Sequence, residues 1–262
     1  RGEPRAVFLA ETRTGAITSR EVARLAGVSQ ATVSRVLHDH PGVRPEVRAR
    51  VQRVLAETRY QPNAMARAMK TSLTGSVGVV VARLSNPLYP AMLQVIGAAL
   101  ARAGLRMVVW DSEHGGEGPA QVALRQGIVD GVLLTTATVE SPLLREAADA
   151  RVPVVLVNRT VSGAACDQVS SDNVAGGATV ARYLVACGRR RIAMIGGTGA
   201  ASTIRDRERG FRQALDDEGR PLGFANCEQV DTFSHETGRA AAQRLLELAR
   251  PPDAVFCTND VI

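Results

Sequence analysis

From Ser76 to Ile262, short apolar runs alternate with longer stretches of helical periodicity. VGVVVA (Val77–Ala82), RMVVWDS, GVLLTT, PVVLVN, RRRIAMIGG, EQVD and DAVFCTN read as strands. Helices are expected from NPLY to Gly104, over Ala120–Gln126 and Ser141–Ala150, from VSSDN to Gly188, and over Asp206–Asp217 and Thr237–Leu248. Strands that are apolar on both faces must be covered on both faces. Alternation with amphipathic helices then demands parallel sheets sandwiched between helix layers. The strand count suits two doubly wound subdomains. No apolar run approaches the roughly 20 residues a membrane-spanning helix needs, so no membrane partner is expected.

In such sheets, ligands sit beyond the carboxyl ends of the strands. Polar residues gather there: NPLY after the first strand, Asn158–Arg159 after the fourth, GGTGAAS after RRRIAMI, and Asn259–Asp260 after the last. Gly197-x-Gly199-x-x-Ser202 invites a dinucleotide reading, since it follows a strand and precedes a helix. It lacks the third glycine, and no acidic residue ends a second strand about twenty residues on. No GxSxG element is present and the chain has four His, which leaves little for a hydrolase. The four cysteines form no CxxC pair and none stands at metal-ligand spacing from a His. They read as small apolar residues in a reducing cytoplasm. His38 and His40 lack further ligands. Neither an enzyme nor a metal or cofactor is expected, and AVFLA near the start is too short for the apolar region of a signal peptide.

The first quarter is different. Residues 1–70 carry 13 Lys and Arg against six Asp and Glu; residues 71–262 carry 19 against 20. A basic head on a nearly neutral body points to a polyanionic partner. Thr18-x-x-Glu21 is a capping box that starts a helix. Gly27 ends it, Val28 plugs the gap, and Ser29 caps a second helix bearing Val33, Val36 and Leu37 on one face. Two short helices joined by such a turn form a helix-turn-helix. The start of the second helix is built to read base edges: Gln30 matches adenine, Ala31 a thymine methyl, and Arg35 guanine. Thr32 and Ser34 suit phosphate. Pro45 opens a third helix, with Val47, Val51, Val54 and Leu55 closing a three-helix head.

TSREVARLAGVSQATVSRVL, followed by PGVRPEVRARVQRVLAETRYQPNAMARAM, resembles the DNA-binding head and hinge of the lactose/galactose repressor family. The likeness implies an all-α helix-turn-helix head over residues 17–60, a hinge helix and linker over 61–75, and a core over 76–262. That core resembles periplasmic sugar-binding proteins. By this likeness, Thr18, Ser29, Gln30, Ala31, Thr32, Ser34, Arg35 and His38 of the head face DNA. Asn63, Arg67 and Met69 of the hinge do so too, with Met69 as the wedge that parts a base step. His38 replaces the family's usual Asn, and Arg44 replaces a common Ser or Thr cap. The resemblance likewise offers Tyr89, Asn158, Arg159, Arg207, Phe233 and Asp260 as the pocket for a small-molecule effector, a sugar or sugar derivative. It implies a cytoplasmic regulator, a repressor acting as a homodimer on a pseudo-palindromic operator. It also implies that the family pattern continues beyond NDVI, so that the chain is truncated at its C-terminal end.

Overall fold

The computed structural model describes residues 17–60, 73–84, 86–113, 116–197 and 199–262. These belong to two compact units, divided between Ser72 and Leu73.

The first unit is three helices: α1 (Ser19–Leu25), α2 (Gln30–Leu37) and α3 (Pro45–Thr58). The capping box forms as expected, with Glu21 N–H donating to Thr18 Oγ1 at 3.3 Å and Thr18 N–H donating to the Glu21 carboxylate at 2.7 Å. Those bonds from Thr18 hold the Glu21 carboxyl below its usual pKa. Gly27 adopts φ +61°, the left-handed conformation that ends α1 without a Cβ penalty. Ser29 Oγ then accepts from Thr32 N–H and starts α2. Val22, Ala23, Ala26, Val33, Val36 and Val51 form the buried centre, so each helix contributes to one core. Arg48 of α3 donates to Asp39 and to the His40 carbonyl, fastening the loop after α2. Arg44 makes no side-chain cap, and Pro45 opens α3 by its fixed φ instead.

The second unit contains two parallel sheets. Strands β1 (Ser76–Val81), β2 (Arg106–Asp111), β3 (Gly131–Leu134), β4 (Val154–Val157) and β5 (Asp167–Val169) assemble in the order β2-β1-β3-β4-β5. Strands β6 (Ile192–Gly197), β7 (Cys227–Val230) and β8 (Ala254–Cys257) assemble as β7-β6-β8. Helices α4 (Leu88–Arg102), α5 (Gly118–Arg125), α6 (Pro142–Ala150), α7 (Asn173–Ala186), α8 (Ser202–Asp217) and α9 (His235–Leu246) cover them.

Alternate side chains of each central strand supply opposite helix layers. Val79 and Val81 pack with Tyr89, Met92 and Ile96 on the α4 side, while Val80 packs with Leu124, Leu143 and Ala147 on the α5–α6 side. In the second sheet Ile192 and Met194 meet Ala181, Phe211 and Leu215 of α7 and α8. Ala193 and Ile195 meet Ala241 and Leu245 of α9. This is the doubly wound core expected from the sequence. The strand register sets the ends level: Val81 lies beside Asp111, and Val80 beside Leu134.

Where the chain enters this unit, Asp130 accepts from Thr74 N–H, Thr74 Oγ1 and Gly75 N–H at 2.7–2.9 Å. Burial opposes its ionisation, but the bonds from Thr74 and Gly75 prevail and lower its pKa. The start of β1 is thereby fixed to the edge of β3.

Candidate DNA-reading helix and ligand cleft

In the head, Gln30, Ala31 and Arg35 project from α2 into solvent, whereas Val33 and Val36 face inward. Gln30 Nε2 donates to Ser19 Oγ at 2.7 Å, tying the two helices together. The bond leaves one N–H and the amide oxygen, the donor–acceptor pair adenine presents a match for. The Arg35 carbonyl accepts from His40 N–H, while its side chain makes no hydrogen bond or ion pair among the described residues, so the guanidinium is available. Thr32 Oγ1 and Ser29 Oγ share a bond of 2.9 Å, and both hydroxyls are spent in part on capping α2. Ser34 is half-buried, and its carbonyl accepts from His38 Nδ1 at 2.8 Å, which fixes that ring at the end of the helix. Thr18 is committed to its capping box. Asn63, Arg67 and Met69 lie outside the described residues.

In the core, the carboxyl ends of β1, β4, β6 and β8 bring polar side chains together. Asn158 follows β4 in a left-handed conformation, φ +59°, with its N–H on the Val169 carbonyl. This turn directs Arg159 toward the second sheet. Arg159 donates to Thr203 Oγ1 at 3.3 Å, to the Asn158 carbonyl at 2.7 Å, and to Tyr89 Oη at 3.4 Å. Thr160 N–H donates to Ser202 Oγ at 2.8 Å. The loop after β4 is thus bonded to the first residues of α8.

One turn further along α8, Arg207 donates through Nε to Asn173 Oδ1 at 2.9 Å and through Nη1 to the Thr258 carbonyl at 2.8 Å. Burial lowers its pKa, Asp260 counters that, and Arg159 adds to it. The three charges therefore feel one another. Asp260 is exposed after β8. Phe233 follows β7 and its ring fills the space a Cβ on Gly197 would need. Its carbonyl accepts from Arg83 Nη1 at 2.8 Å, and Arg83 also approaches Glu113 at 3.6 Å.

Five of the six expected pocket residues thus have contacts or charge interactions at these strand ends, and Asn158 holds the turn that aims Arg159. Tyr89 is also a core residue, 5% exposed, with only its hydroxyl reaching the cluster. Sequence reasoning missed Asn173, Thr203 and Thr258, buried polar residues that hold the arginines, and Ser202, which holds the loop bearing Arg159 through the Thr160 N–H. It also missed Arg83 and Glu113. Two surface concavities are lined by other residues: one at the carboxyl ends of β2 and β3, beside Ser112, Glu117, Thr136 and Ser141, and one of about 690 Å³ between α6 and the segment before β5. In the first, Glu117 is already engaged by Ser141 Oγ and Leu143 N–H.

A solvent-facing recognition helix in one unit, and convergent polar strand ends in the other, define a ligand-responsive DNA-binding regulator. Residues 18–63 match the model of the bacterial regulatory proteins of the lacI family, and residues 74–262 match that of the periplasmic binding proteins and sugar binding domain of the LacI family. The chain is 31% identical over 251 residues to the HTH-type transcriptional regulator DegA of Bacillus subtilis, covering 94% of this chain and 74% of DegA. It is 34% identical over 254 residues to the regulator CelR of Thermobifida fusca, with the same coverage. The structure of a CelR–cellobiose complex superposes with a TM-score of 0.64 at 30% identity, over 92% of this chain and 73% of that one. A Lac repressor dimer bound to operator and the anti-inducer ONPF shares the fold, with a TM-score of 0.82 at 23% identity over 94% of this chain and 75% of that one. The chain belongs to the LacI family: it is a helix-turn-helix transcriptional regulator joined to an effector-binding core.

Proposed function

We propose that the protein is a cytoplasmic repressor, not an enzyme, that binds a pseudo-palindromic operator as a homodimer. A polyol effector, a sugar or sugar derivative, controls it. Residues 17–60 read DNA, 61–75 form the hinge, and 76–262 bind the effector. The observation that carries the reading is the exposed start of α2, where Gln30, Ala31 and Arg35 stand clear of the packed valines. Thr18, Ser29, Thr32, Ser34 and His38 flank that surface and would contact phosphates, with Asn63, Arg67 and Met69 entering the minor groove. Tyr89, Asn158, Arg159, Arg207, Phe233 and Asp260 would hold the effector. Carboxylate and guanidinium groups suit polyol hydroxyls, and an aromatic face covers a sugar ring. The Thr258 hydroxyl, buried and without a partner among the described residues, adds an unfilled hydrogen-bonding position beside Arg207.

The effector acts through differential affinity for two arrangements of the core, one favourable to operator binding and one not. Because β1 runs from the Asp130 anchor to the strand ends near Tyr89, a change at the cleft can reach the point where the head joins. Arg35→Ala is expected to cost about 1–3 kcal/mol on the operator and to relax base preference at one position in each half-site. Fluorescence anisotropy on operator variants measures both. Equal losses on operator and random duplex would remove Arg35 from the base-reading set.

A further inference from the structure

Two helix starts meet in the head. Ser19 is the first residue of α1, and Gln30 is the first residue of α2. Each stands one place after a cap: Thr18 Oγ1 accepts from Glu21 N–H, and Ser29 Oγ accepts from Thr32 N–H. The caps leave Ser19 and Gln30 with no backbone donor of their own helix to satisfy. Their side chains bond to each other instead, Gln30 Nε2 donating to Ser19 Oγ at 2.7 Å. Neither side chain has another hydrogen bond among the described residues.

This bond is not what holds the head together. Val22, Ala23, Val33, Val36 and Val51 do that from the buried centre. Ser19 is half-buried and Gln30 is exposed, so water competes for the pair and its net worth to folding is small. Its consequence is geometric. A free glutamine turns about several bonds and presents either end of its amide. Tied to Ser19, Gln30 keeps its amide nitrogen at α1 and its oxygen unbonded.

That orientation discriminates between purines. In the major groove adenine offers a donor and an acceptor, and guanine offers two acceptors. An amide with one N–H and its oxygen free complements adenine and sets oxygen against oxygen on guanine. Released from Ser19, the amide can turn over and offer both N–H groups to guanine. The tie also exists before DNA arrives. A side chain already ordered loses less freedom on binding than one that must be ordered there.

We propose that Ser19 is a specificity-determining residue that, through Gln30, selects adenine over guanine at one position of each half-site. This rests on the reading of Gln30 as a base contact and adds the residue that orients it. Ser19 is a positioning residue, acting on DNA through the Gln30 amide.

The test uses the full-length protein, a duplex recovered by selection from random DNA, and single-base variants of that duplex. Fluorescence anisotropy compares wild type with Ser19→Ala, Ser19→Thr, Gln30→Ala and the double variant Ser19→Ala/Gln30→Ala. Gln30→Ala identifies the base pair that Gln30 reads. At that pair, Ser19→Ala is expected to lower the adenine-over-guanine ratio by about three- to tenfold, the scale of one ordered side chain. Preferences at other positions and affinity for random duplex stay as in wild type. Ser19→Thr keeps the hydroxyl and most of the ratio. In the Gln30→Ala background, Ser19→Ala has no further effect, because the amide it acts on is gone. A merely destabilised head would instead lose affinity for every duplex alike. An unchanged ratio in Ser19→Ala, a loss spread evenly over all duplexes, or the same loss with and without Gln30 would overturn the proposal. The last result would make Ser19 a base contact in its own right. Failure of the Gln30 reading looks different: Gln30→Ala leaves every base preference unchanged, and the proposal falls with it.

Discussion

Gly177→Ala and Gly210→Ala are each expected to destabilise the second sheet's subdomain by about 3 kcal/mol or more, because a methyl group there meets backbone. A Cβ on Gly177 would lie 2.1 Å from the Arg207 carbonyl oxygen, and one on Gly210 would lie 2.0 Å from that of Val174. No rotamer change moves those atoms. Helices α7 and α8 must separate instead, and the separation loosens Ala178, Ala181, Phe211, Ala214 and Leu215 together. The sign is what makes the test sharp. In an exposed helix the same substitution stabilises by about 0.5–1 kcal/mol. Gly176 provides the control within α7, since a Cβ there meets nothing within 4 Å. Urea titration of the three variants should show Gly176→Ala at or above wild type and the other two far below it. A stabilised Gly177→Ala would mean the helices do not cross in contact. Effector binding should fall with stability, because Arg207 sits on the same stretch of α8.

Arg207→Ala is expected to weaken effector binding by about 3 kcal/mol, roughly a hundredfold, and to abolish the effector's influence on operator affinity. The loss has two sources. The ligand loses a half-buried guanidinium, and Asn173 Oδ1 and the Thr258 carbonyl lose their donor. Arg207→Lys keeps the charge but not the fork, and should fall between the two. The readout is operator anisotropy titrated with an effector that acts on the wild type. A normal response from Arg207→Ala would exclude this residue from the pocket, and with it the proposed centre of the cleft. Lost response with retained DNA binding would separate this effect from general unfolding.

The sequence announced what is local and apolar. Strand β1 was legible because four of its six residues are valine, beside one glycine and a starting serine, and α1 because its capping box is a short-range pattern. Strand β5 was not, because Asp167, Gln168 and Val169 are all exposed and carry no burial signature. Helix α8 begins at Ser202 rather than Asp206, since Ala201 offers none of the usual capping chemistry. The short 3-10 turn Phe224–Asn226 was missed for the same lack of signal, its Phe224 being almost wholly exposed. In the cleft, Arg207 and Asp260 came from the family likeness. Asn173 and Thr203 look in sequence like ordinary residues at helix starts, and Thr258 like the end of a strand. Only the parallel sheets, by aligning strand ends about 40 or more residues apart, show what they hold. The glycine contacts between α7 and α8 are equally invisible from either helix alone.

The most direct measurement is binding-site selection by the full-length protein from a pool of random duplex DNA, with affinities of selected and unselected duplexes compared at several salt concentrations. The expected result is enrichment of a two-fold-related pair of half-sites, bound with high preference over random duplex, and with affinity falling as salt rises. A pool that stays random after repeated rounds, or selected and random duplexes bound equally well, would contradict it.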